Sequence, residues 1–137
     1  MKKYSLFVGC VVAVGLLAGC GSSISPKKLA GSWMCKETNP DGSFNTASWI
    51  FSADGRYEIS SMNNGMPLNI GGAYKVDGKK VELTMTTMSF GGRSRTDNSS
   101  KVETVLAIQD LKDDGFLSFE STVLKSGNKR PVNCRKS

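Results

Sequence analysis

Four cysteines, six methionines and twelve carboxylates are the residues of this 137-residue chain whose chemistry reaches beyond packing. There is no histidine, which removes the usual general base near neutral pH and the commonest metal ligand. Cys35 and Cys134 without a histidine cannot complete a typical zinc shell. Five of the carboxylates sit at turns: Asp41, Asp54, Asp77, Asp113 and Asp114 each stand next to or near a glycine, where a backbone role accounts for them. Glu82, Glu103 and Glu120 fall where strand alternation points outward, so no glycosidase-like carboxylate pair is expected. Nucleophile elbow, P-loop and dinucleotide fingerprint are all missing from the sequence. Met62, Met66, Met85 and Met88 fall within 27 residues, and thioethers bind Cu(I). Alternation puts Met85 and Met88 on opposite faces of one strand, however, and Met is a common filler of irregular interiors. The expectation is a non-catalytic protein with no metal and no cofactor.

The amino terminus divides into zones. Met1-Lys2-Lys3 is a short positive segment, and Leu6 to Ala18 is an apolar run without charge. A permanent bilayer span needs ~20 apolar residues, so this reads as a signal peptide and is set aside from the fold. Leu17-Ala18-Gly19-Cys20 resembles the lipobox of bacterial lipoproteins. The resemblance implies cleavage before Cys20 and acylation of its thiol and new amino terminus. Each buried CH₂ adds ~0.8 kcal/mol to anchoring, and stable attachment takes more than one chain. Residues 1–19 are then the signal peptide, 20–26 a lipidated tether and 27–137 one folded domain. Gly21 stands where an Asp commonly marks inner-membrane retention in such lipoproteins, so the outer membrane of the bacterial envelope is expected.

Cleavage removes 19 of 137 residues and leaves 118, enough for a single domain. Losing Lys2 and Lys3 lowers the net charge from +6 to about +4. Lys125, Lys129, Arg130, Arg135 and Lys136 concentrate the basic excess near the carboxyl terminus. An exported, tethered protein meets lipid rather than nucleic acid, so a solvated surface or lipid head groups is the reading. Cys10 leaves with the signal peptide and Cys20 is lipidated. In an oxidising compartment the remaining pair, Cys35 and Cys134, is expected to form a disulfide.

Turn signals recur along the folded part: Asn39-Pro40-Asp41-Gly42, Ala53-Asp54-Gly55, Asn63-Asn64-Gly65, Asp77-Gly78, Asp113-Asp114-Gly115 and Ser126-Gly127-Asn128. Asp and Asn tolerate left-handed backbone and Gly enters positive φ without a Cβ clash. Between them the sequence predicts strands at about 32–38, 46–52, 56–62, 69–76, 80–89, 101–111, 116–124 and 131–135. Val81, Leu83 and Met85 alternate with Glu82, Thr84 and Thr86, the period of a sheet with one buried face. Eight strands joined by tight hairpins favour an all-β, antiparallel up-and-down barrel. Closing such a meander makes the first and last strands neighbours, which brings Cys35 to Cys134. Gly91 to Ser100 is the one loose stretch and is expected to be a mobile rim loop.

Leu29-Ala30-Gly31-Ser32-Trp33 resembles the G-x-W opening of lipocalin-like domains, preceded by a short helical turn. Trp49-Ile50-Phe51-Ser52-Ala53-Asp54-Gly55-Arg56-Tyr57 is similar to the W-x-F-x-x-D-G-x-Y hairpin of small bacterial members of that group. The chain is short for a true lipocalin and shows no C-terminal helix. The resemblance implies a lipocalin-like barrel serving as a binding module for a small apolar ligand. Trp33, Trp49, Phe51, Tyr57, Tyr74 and Phe119 are the candidate interior residues, although a small eight-stranded barrel is by default filled by its own side chains. The alternative is a protein-interaction or inhibitor module, acting on an envelope protein through Arg93 and Arg95. Ser52-Ala53-Asp54-Gly55-Arg56-Tyr57 is loosely similar to a segment of lipid-anchored lysozyme inhibitors, also small barrels with a disulfide.

Overall fold

A computed structural model describes residues 23–137; the signal peptide and Cys20 lie outside the described residues. The first element follows from Pro26, whose fixed φ suits the opening position of a helix. Helix α1 (Pro26–Leu29) is a single turn, too short to persist on propensity. Leu29 holds it in place: its side chain is wholly buried, which stabilises by roughly 1.5–3 kcal/mol. The Leu29 carbonyl also accepts a 2.8 Å hydrogen bond from Trp33 Nε1. Ile24, in the stretch read as tether, already packs on the core, and its N–H donates to the Gly78 carbonyl.

Nine strands follow: β1 (Gly31–Thr38), β2 (Phe44–Phe51), β3 (Arg56–Asn63), β4 (Met66–Asp77), β5 (Lys80–Phe90), β6 (Arg93–Thr96), β7 (Thr104–Lys112), β8 (Phe116–Val123) and β9 (Lys129–Lys136). All pairings are antiparallel. Neighbours run β4-β3-β2-β1-β9-β8-β7-β5, and β4 pairs with β5 to close the ring. Eight strands therefore form the barrel, and β6 is an extra one attached to β5. The closed meander is consistent with a lipocalin-like barrel. Closure leaves no long free edge in the wall.

The seam is fixed covalently. Cys35 pairs directly across from Cys134 in the β1–β9 ladder, and a disulfide joins them with Cα atoms 4.0 Å apart. Both cysteines are buried. The Asn64-Gly65 turn between β3 and β4 has φ of 53° and 78°, the doubly positive pattern that suits a two-residue hairpin.

Two expectations are corrected here. Gly91 to Ser100 is not wholly a loop, because Arg93–Thr96 pairs with Thr87–Phe90 of β5 as strand β6. All four of its residues are exposed, so backbone hydrogen bonds rather than burial hold it. Met85 and Met88 are not on opposite faces either. A bulge at Gly71/Gly72 pairs Gly72 with Met85 but Ile70 with Met88. Three residues of β5 span what two of β4 span, which returns Met88 to the face of Met85.

Candidate functional site

The barrel interior has two unlike halves. At the end bearing α1 and the β2–β3, β4–β5 and β7–β8 turns, Leu29, Trp33, Phe51, Leu117 and Phe119 are buried and form a solid plug. Phe51 meets Tyr74 edge-on at 5.3 Å between ring centroids, and Tyr74 donates a 2.6 Å hydrogen bond to the Ser52 carbonyl. Lys136 Nζ stands 4.6 Å from the Trp33 ring and donates to the Ala30 carbonyl at 2.8 Å. This end is shut.

The opposite half is open. A cavity of about 370 Å³ reaches in from that end, within the range of small-molecule sites. Trp49 forms its floor and is only half-buried. Its ring lies 5.2 Å from Phe119 and 6.0 Å from Phe51, so it caps the plug on the cavity side. Ile59, Leu68, Ile70, Leu83 and Met85 make the apolar wall, and Glu37, Glu103, Thr104 and Ser121 add polar groups. Of the six aromatic residues expected inside, Trp49 and Tyr57 line the cavity, while Trp33, Phe51, Tyr74 and Phe119 belong to the packed half.

Tyr57 is 4% exposed, and no hydrogen bond to its hydroxyl is present among the described residues. Burial, and secondarily the charge of Glu103, push its pKa up to about 12. Glu103 is not on an outer face as alternation suggested; β7 begins only at Thr104, and the preceding residue borders the cavity, close enough for its charge to act on Tyr57. Asp97 lies beside it. The Ser99 N–H and hydroxyl hold Asp97 below the ordinary carboxylate range, with smaller help from Glu103 and Arg95. Arg93 and Arg95 themselves are exposed on β6 and do not line the cavity.

The Tyr57 shift sets a pH signature. An unfolded tyrosine ionises near 10, whereas folded Tyr57 keeps its proton to about 12. Its contribution to stability is therefore intact below pH 10 and is lost between pH 10 and about 12. Denaturant melts across that range should show a decline in the parent that is smaller in Tyr57→Phe; equal slopes would contradict the assignment.

No protein-family model and no curated protein sequence matches this chain. Among solved structures it is similar to a redesigned β-barrel, 13% identical with a TM-score of 0.50, over 82% of this chain and 95% of that chain. A likeness at that identity speaks for the fold, a small closed β-barrel.

Proposed function

We propose that the protein is a lipid-anchored, non-catalytic binding module of the bacterial cell envelope, whose open barrel half takes up one small apolar ligand. The observation that carries this reading is the division of the interior. A barrel built only for stability would be filled along its length, whereas here an aromatic plug supports a cavity walled by Ile59, Leu68, Ile70, Leu83 and Met85. The chain also enters at the shut end, through Ile24 against Gly78. Anchoring through an acylated Cys20, on the outer membrane, then leaves the mouth free to exchange ligand with the aqueous space. Consistent with the anchor, Cys20→Ala should leave the precursor uncleaved and unlabelled by palmitate analogues; continued labelling would refute it.

The cavity is tested by filling it. Met85→Trp should abolish binding of 1-octanol, followed calorimetrically, while the parent binds it saturably. Binding that survives the filled variant would place the ligand elsewhere. A second reading, an interaction or inhibitor module, is favoured by β6, which holds Arg93 and Arg95 exposed beside the open end. Arg93→Glu with Arg95→Glu should leave octanol uptake unchanged if the cavity is the functional part.

A further inference from the structure

Besides its apolar wall, the cavity carries a charge pattern at odds with the rest of the molecule. The chain has 18 basic residues against 12 acidic ones, yet no lysine or arginine lines this space, whose ionisable groups are Glu37, Glu103 and the Tyr57 hydroxyl. Neither glutamate has an ion-pair partner among the described residues, where the salt bridge present is Lys28–Asp113 at the shut end. Outside the lining, Asp97 adds a second carboxyl beside Glu103, with Arg95 near it. Tyr57, only 4% exposed, lines the same space with its hydroxyl unpartnered among the described residues. A buried hydroxyl without a partner is a feature that calls for an explanation, and a ligand polar group supplies one.

Resting on the reading of the cavity as a ligand site, we infer that the ligand is an organic cation: an apolar body with an ammonium head seated between Glu103 and Tyr57. An ammonium has donors and no acceptor, which suits a carboxylate and a phenol oxygen. Trp49 and Tyr57, both in the lining, bring aromatic rings whose quadrupoles favour a cation. A fatty acid is disfavoured by the same groups, since its carboxylate would meet Glu37 and Glu103 with no cation in the lining to offset them.

Three probes with one alkyl chain separate the terms: 1-octanol, octylammonium and octanoate, titrated calorimetrically into the protein. Octylammonium should bind at least roughly tenfold more tightly than octanol, the size of one charge-assisted hydrogen bond, and octanoate more weakly than either. Glu103→Gln should remove about a tenfold share of octylammonium affinity and leave octanol unaffected, with an unchanged melting temperature showing that the fold persists. Asp97→Asn, at a half-exposed position, is the second variant and should weaken octylammonium in the same sense. Equal affinity for octanol and octylammonium would overturn the cation assignment while leaving the cavity reading intact. A preference that survives Glu103→Gln, Asp97→Asn and Glu37→Gln would overturn it as well. If none of the three probes binds, the reading of the cavity as a ligand site fails with it.

Discussion

Reducing the Cys35–Cys134 bond should lower the melting temperature of the protein by roughly 10–20 °C. The two cysteines are 99 residues apart in sequence and sit opposite one another where the first and last barrel strands meet. In the chain-entropy account, closing a loop of that size stabilises by about 4–5 kcal/mol, and for a domain of this size each kcal/mol moves the melting temperature by several degrees. The bond is buried, so reduction and alkylation should need denaturant or long exposure. Calorimetry of oxidised and reduced protein gives the shift. Two thiols that alkylate freely in the native state, or a melting temperature indifferent to reductant, would show that the seam holds without its staple.

Gly72→Ala should destabilise by about 3 kcal/mol, at the upper end of what overpacking costs. Gly72 lies at the β4–β5 bulge, and a Cβ there would run into the Thr84 carbonyl oxygen, with Thr84 C and Met85 Cα at 2.9 and 3.0 Å. These are backbone atoms, so no rotamer change relieves the contact; the bulge itself must move. Gly65→Ala is the comparison, with φ of +78° and open space around the new methyl. Only the left-handed backbone is strained there, at roughly 1 kcal/mol. Urea denaturation of the two variants should therefore differ by about 2 kcal/mol. Equal losses would mean that the bulge adapts freely.

The strands that face the core announced themselves, and those that do not stayed silent. Alternation over Val81–Met85 is a record of burial, so eight barrel strands, their turns and the pairing of Cys35 with Cys134 were legible within a few residues. Strand β6 buries none of Arg93, Ser94, Arg95 and Thr96; among the described residues it is held by the backbone ladder to β5, which leaves no mark on side-chain pattern. The bulge at Gly71/Gly72 shifts the face of everything beyond it on β5, and that step cannot be counted from the spacing of Met85 and Met88. The site was half legible for a related reason. Period two tells which side chains point inward, but not how far along the barrel they fill it. Trp33, Phe51, Tyr74 and Phe119 point inward like Trp49 and Tyr57, yet only the last two border open space. Glu103 was missed because its strand begins at Thr104, three residues later than the sequence suggested.

The central claim is that one half of the barrel is solid and the other receives an apolar ligand. Methyl-resolved NMR of the protein titrated with 1-octanol tests it most directly, because both halves carry reporters. The methyls of Ile59, Leu68, Ile70 and Leu83 should shift together and saturate, while those of Leu29 and Leu117 stay in place. Shifts confined to the buried set, or no saturable shift in the cavity set, would contradict the account.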